Sequence, residues 1–205
     1  MITIADYGLG NVLAFKNVYK RLGIECRAAS TAAGLEGASR IILPGVGAFD
    51  HAMALLDASG MRDTLDELVL GRGVPVLGIC VGMQILAQSS EEGCARGLGW
   101  IAGRVKKFDV AQSRTLMRLP HMGWNDVQPT AASALFAGLE SDARFYFLHS
   151  YYFQCDRAED SLARAEYGAP FSCAIRSGKI YGVQFHPEKS HHWGTRLLRN
   201  FAGVH

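Results

Sequence analysis

A cysteine framed by glycines, Gly78-Ile79-Cys80-Val81-Gly82, follows the apolar run Val74-Pro75-Val76-Leu77. A chain that reverses from strand to helix within one or two residues crowds its own turn, so small residues two positions to either side are a steric requirement. The spacing therefore predicts a thiol held on a sharp elbow. It also predicts a helix beginning at that thiol, whose unpaired amides and dipole favour thiolate over thiol. A cysteine simply buried at a strand end is the competing reading, because free cysteine is among the most buried residue types.

A nucleophilic thiol needs a base, and the base needs an orienting group. Phe185-His186-Pro187-Glu188 offers both. On an extended segment, residues two apart project to the same side, so Glu188 can hold one imidazole nitrogen while the other faces a reactant. Pro187 stiffens the backbone between them. A loop histidine paired with a surface glutamate is the plain alternative, since most ion pairs are structural. Pro44-Gly45-Val46-Gly47 closes another apolar run. Attack on an amide creates an oxyanion, and backbone N–H groups aimed at it are often the largest catalytic contribution. One N–H from Gly45, Val46 or Gly47, together with that of Val81, would form a two-donor hole. Alone, the tetrapeptide reads equally well as a strand-to-helix turn.

Positioning these segments requires strands that end at one edge of a sheet, where ligands bind in open α/β folds. The first half supplies them by alternating short apolar strands with amphipathic helices, the pattern of a parallel sheet covered on both faces. Strands are predicted over 2–5, 24–27, 40–43 and 74–79. Asn11 is the expected N-cap of a helix carrying Val12, Phe15, Val18 and Leu22 and ending at Gly23. Further helices are predicted from the Pro-Gly segment to about Ala58 and over 61–70. Short strands and turns are expected between 97 and 125 as antiparallel additions. Aromatic strand material follows at 145–149 and 151–153, then a hairpin turning at Ser177-Gly178-Lys179, and a last helix marked by Trp193, Leu197 and Phe201. The predicted fold is an open, largely parallel α/β sheet flanked by helices.

With 205 residues, 49% of them hydrophobic, the chain can bury a substantial core as one domain. A net charge of +2 and no basic run beyond Lys106-Lys107 argue against nucleic acid or a membrane surface as partner. No basic leader precedes an apolar segment, and no apolar run could span a bilayer, so a soluble, unexported protein is expected. Five cysteines without a C-x-x-C pair argue against a disulfide scaffold or a structural zinc site and fit a reducing cytoplasm. His186, His191 and His192 lie close in sequence, but no neighbouring cysteine completes a common ligand set, and neither metal nor cofactor is expected.

Six segments carry a resemblance that runs essentially end to end: Asp6-Tyr7-Gly8-Leu9-Gly10-Asn11, Leu43-Pro44-Gly45-Val46-Gly47-Ala48-Phe49, Leu77-Gly78-Ile79-Cys80-Val81-Gly82-Met83-Gln84, Pro120-His121-Met122-Gly123-Trp124-Asn125, His149-Ser150-Tyr151, and Gln184-Phe185-His186-Pro187-Glu188-Lys189-Ser190. They resemble the class I glutamine amidotransferases, whose fold is flavodoxin-like. Within that family they are most similar to the glutaminase subunits of imidazole glycerol phosphate synthases. The resemblance implies Cys80 as nucleophile, His186 as acid and base, and Glu188 as its orienter. It implies that Gln84 and Glu92 hold the substrate L-glutamine, with Ser150 and Tyr151 lining the same pocket mainly through backbone. It turns Tyr146, Trp124 and Lys189 toward a partner, where composition alone would read core aromatics and a solvated lysine.

The implied partner is a (β/α)₈-barrel cyclase subunit, in a heterodimer that makes imidazole glycerol phosphate and AICAR for histidine biosynthesis. The motifs reach to within about twenty residues of the C-terminus, leaving no room for a synthase domain, so one glutaminase domain over 1–205 is expected. Val81, where leucine is frequent, and Ala14-Phe15, where a serine-containing stretch is usual, resemble a side branch that feeds ammonia to sugar amidotransferases of surface-polysaccharide pathways. That branch is the alternative acceptor. Cys-His hydrolases with a similar elbow and an inactive scaffold are rival classes. Gln84 and the Pro-Gly-Val-Gly segment count against the first, and a complete triad against the second.

Overall fold

A computed structural model describes residues 1–109 and 118–204. Its N-terminal half alternates β1 (Ile2–Ala5), α1 (Val12–Arg21), β2 (Cys26–Ala29), α2 (Ala32–Leu35), β3 (Arg40–Gly45), α3 (Phe49–Ala58), α4 (Arg62–Asp66), β4 (Val76–Cys80) and α5 (Val81–Gln84). Asn11 caps α1 as expected, accepting the Ala14 N–H at 3.0 Å. Lys20 and Arg21 sit at the helix's negative end, where cations are favoured. Strand β2 starts two residues later than predicted, with Cys26 opposite Ile2 and the Ala29 carbonyl accepting the Asp6 N–H just past the end of β1. The helix predicted over 61–70 is α-helical only to Asp66. Glu67–Gly71 then widens into a π turn that buries both Leu68 and Val69.

The second half contains β5 (Ser89–Ser90), β6 (Gly103–Lys107), β7 (His121–Asp126), β8 (Gln128–Pro129), β9 (Arg144–His149), β10 (Tyr151–Cys155), β11 (Ser161–Tyr167), β12 (Ala169–Ser177), β13 (Ile180–Val183) and α6 (His191–Ala202). Short strands and turns do occupy the described part of 97–125. Residues 110–117 of that stretch lie outside the described residues. The β12–β13 hairpin turns at Gly178-Lys179, where Ser177 pairs with Ile180.

The main sheet runs β2-β1-β3-β4-β13-β12-β10-β6-β5. From β2 to β13 all pairings are parallel. Beyond β13 the hairpins add antiparallel strands, with β11 folded onto β12 and β8 onto β11. This is the predicted α/β sheet with antiparallel additions. Strands β7 and β9 form a separate two-stranded ribbon that sets Trp124 opposite Tyr146.

Burial explains the order. Strands β1 and β4 are buried at every residue, as central parallel strands covered on both faces must be. Parallel register then aligns strand ends: Gly45 of β3 lies opposite Cys80 of β4, and Val183 of β13 lies opposite Ile79. The C-terminal ends of three strands, each carrying one of the chemically suggestive segments, therefore meet at one edge.

Candidate active site

Cys80 closes β4 with φ 56° and ψ −113°, a left-handed conformation that costs a non-glycine residue about 1–3 kcal/mol. The flanking glycines have a steric cause. A Cβ on Gly78 would lie 2.5 Å from the Gly82 carbonyl oxygen, and one on Gly82 would collide with the carbonyl oxygen of Leu43. The predicted elbow is therefore present, but α5 behind it is a single turn of four residues. So short a helix sums few peptide dipoles.

The neighbours of the sulfur are specific. Cys80 Sγ lies 3.9 Å from the Leu148 carbonyl oxygen and 3.8 Å from Gln184 Nε2, which can donate to it. His186 faces Cys80 across the cavity, and its Nδ1 lies 2.8 Å from Glu188 Oε1. Both side chains are buried. The pair does not meet along an extended segment, as the sequence suggested. Pro187–Lys189 forms a 3₁₀ turn, and Ser190 Oγ closes it by donating to the His186 carbonyl at 2.6 Å. Burial opposes charge on His186. The hydrogen bonds with Cys80 and Glu188, and the charges of both, outweigh it and raise the imidazole to about 10. At neutral pH the histidine thus holds a proton facing the sulfur.

Cys80 and His186 open into a cavity of 340 Å³, also lined by Val46, Gly47, Val81, Gln84, Glu92, Pro120, Leu148, His149, Ser150, Tyr151 and Lys189. Three predicted residues stand behind its walls or away from them. Gly45 is buried in the β3–β4 ladder, and a Cβ on it would press on the Gly82 nitrogen at 2.5 Å. Trp124 and Tyr146 lie on the outer face of the β7–β9 ribbon, with Met122 and Leu148 exposed beside them. Trp124 stacks on His191, and Lys189 Nζ reaches 5.8 Å from the Tyr146 ring centroid, so that face connects to the mouth of the cavity.

Gln84 donates from Nε2 to the Tyr151 carbonyl at 3.2 Å and to Gln184 Oε1 at 3.0 Å, which turns its own oxygen into the group it offers elsewhere. Glu92 accepts the Phe49 N–H at 2.9 Å at the start of α3, while Asp50 accepts from Cys94 and Ala95. This reciprocal clamp holds the 91–95 loop against the cavity. Gln184 had no predicted role, although it is the one amide in the run Ile180 to Phe185. Nor did Tyr7, whose buried hydroxyl donates to the Pro44 carbonyl at 2.6 Å and so steadies the peptide entering the Gly45–Gly47 segment. Cys26 and Cys155 are pushed up to about 11 by burial, which suits them to packing rather than chemistry.

Residues 7–203 match the family model described as Glutamine amidotransferase class-I. The chain is 60% identical over 204 residues to the "Imidazole glycerol phosphate synthase subunit HisH" of Bdellovibrio bacteriovorus and 52% identical to that of Leptospira interrogans, each alignment covering both chains completely. The chain belongs to the class-I glutamine amidotransferases, in their HisH branch. This amidotransferase is a glutamine-hydrolysing enzyme. Its fold is also similar to a crystal structure of a glutamine amidotransferase, with a TM-score of 0.74, 25% identity and 99% of each chain covered.

Proposed function

We propose that this amidotransferase is the glutaminase subunit of an imidazole glycerol phosphate synthase. It hydrolyses L-glutamine to glutamate and ammonia and delivers the ammonia to a (β/α)₈-barrel cyclase subunit, in a cytoplasmic heterodimer with 1–205 as one glutaminase domain. The reading is carried by one observation: a strained cysteine and a buried histidine, itself held 2.8 Å from a buried glutamate, face one 340 Å³ cavity.

Cys80 Sγ attacks the side-chain amide carbon of glutamine. The carbonyl oxygen gathers negative charge between the Val81 N–H and an N–H of the Gly45–Val46–Gly47 segment. His186 gives its proton to the departing ammonia, and the bond from carbon to nitrogen breaks to leave a γ-glutamyl thioester on Cys80. Now neutral, His186 takes a proton from water as that water attacks the thioester, and glutamate leaves with Cys80 restored. Glu188 keeps the imidazole oriented through Nδ1. Gln84, Glu92, Ser150 and Tyr151 hold the substrate's polar groups. Tyr146, Trp124 and Lys189 face the cyclase, a role consistent with the exposed apolar side chains around them.

The sugar-amidotransferase acceptor has no observation in its favour. The two departures that suggested it, at Val81 and at Ala14-Phe15, put buried apolar side chains, Val81 and Phe15, at those places. Glutamate release from glutamine tests the reading, measured with and without the cyclase subunit and its acceptor. The expected result is weak activity alone, a strong rise in the complex, and none in Cys80→Ala. Equal rates with and without partner would sink the expectation that the cyclase activates this site.

A further inference from the structure

Two buried histidines lie outside the triad. His121 of β7 and His149 of β9 are register partners on the inner side of the ribbon, with His121 Nδ1 2.9 Å from His149 Nε2. His149 Nδ1 lies 2.8 Å from the Tyr151 carbonyl oxygen, and His121 Nε2 lies 3.3 Å from Asn125 Nδ2. The His121 ring is stacked against both Phe147 and Tyr167, with centroids 4.8 and 4.0 Å away.

The chemistry of the end groups fixes every proton in this row. A carbonyl only accepts, so His149 Nδ1 must carry hydrogen. In a neutral ring that leaves His149 Nε2 as an acceptor, so His121 Nδ1 must donate to it. His121 Nε2 is then an acceptor too, matched by the Asn125 amide, whose Nδ2 also donates to the Glu166 carbonyl at 2.8 Å. Both rings are neutral and both are protonated on Nδ1. Burial acts in the same direction, pushing His121 down to about 4 and His149 to about 3.

The Tyr151 carbonyl that ends this row also accepts from Gln84, and Gln84 continues to Gln184, whose Nε2 faces Cys80 Sγ. We propose that His121 and His149 are positioning residues for the glutamine substrate: the pair fixes the Tyr151 carbonyl, and that carbonyl with Gln184 fixes the Gln84 amide so that its oxygen points at the substrate. The inference rests on the reading that Gln84 and Tyr151 line the glutamine pocket. It makes the ribbon's inner face the support of the substrate wall, a wall to which His149 itself contributes.

The test uses the full chain with its cyclase subunit bound. His149→Phe fills the space but removes both hydrogen bonds. It raises the KM for glutamine about tenfold, the loss of one hydrogen bond to a buried group, with kcat changed far less. The rate at which iodoacetamide alkylates Cys80 stays within about twofold of wild type, because the thiol's own partners are intact. His149→Asn, whose amide N–H stands in for Nδ1–H, recovers most of the loss. Ring nitrogen NMR of the unliganded wild-type chain shows hydrogen on Nδ1 of both histidines, a readout independent of how well any variant folds. An Nε2-protonated ring, an unchanged KM in folded His149→Phe, or an Asn variant no better than Phe overturns the proposal. A wild-type complex that releases no glutamate would instead overturn the functional reading and leave the ring protonation standing on its own.

Discussion

Gln184 touches both halves of the site, accepting from Gln84 at 3.0 Å and reaching 3.8 Å from Cys80 Sγ. Its replacement by leucine keeps the volume but leaves a Gln84 N–H without an acceptor and removes a donor from beside the sulfur. Glutamate release by Gln184→Leu is expected to fall about tenfold, the usual order for an unpaired buried donor. An unchanged rate in a folded variant would count against it. The grouping of Cys80, His186 and Glu188 was legible from sequence because residue type and close spacing suggest it: glycines two positions from a cysteine, and a glutamate two from a histidine. Gln184 and Tyr7 were not, because their partners lie 104 and 37 residues away along the chain. No local pattern records a contact that only the folded sheet creates.

Strands were the most readable elements, since fully buried parallel strands are continuous apolar runs. What escaped were changes of winding: the π turn after Asp66, the one-turn helix after Cys80 and the 3₁₀ turn that brings Glu188 to His186. Hydrophobic spacing over four or five residues does not separate these from ordinary helix or strand. The β7–β9 ribbon has its own titration behaviour. His121 and His149 in the folded chain take up protons only near pH 4 and 3, against an ordinary 6.5, so the unfolded chain binds more protons in between. Stability therefore rises with pH through that window and is lost as pH falls below 6.5. His186 contributes oppositely: its stabilisation is complete below 6.5 and is lost only as pH rises through about 10. The thermal midpoint of the chain should fall between pH 7 and pH 5, and fall less in His149→Asn. Equal slopes for the two proteins would remove the ribbon histidines as the cause.

Across the molecule, one topological fact makes the site: β13, last in sequence, inserts beside β4 and delivers His186 to the edge that already carries Cys80 and the Gly45–Gly47 segment. The ribbon then roofs the cavity and turns Met122, Trp124 and Leu148 outward. Met122 is 65% exposed, so a charge there disturbs no core packing. Met122→Glu is expected to weaken cyclase binding at least about tenfold, as one charge set into an apolar contact does, with the thermal midpoint of the isolated chain unchanged. Titration calorimetry with the cyclase measures the first and a melting scan the second. Undiminished affinity would move the interface elsewhere.

Strand β9 alternates in a way that serves two masters. The side chains of Tyr146 and Leu148 point outward, while their main-chain oxygens meet the His186 N–H at 2.9 Å and approach Cys80 Sγ at 3.9 Å. Ser190 Oγ grips the Tyr146 N–H as well. A protein that clasps these two side chains therefore holds, through single covalent links, the same peptide planes that seat His186 and Cys80. Sensor and actuator coincide within three consecutive residues. No relay across the molecule is needed for docking on this strand to be felt at the thiol.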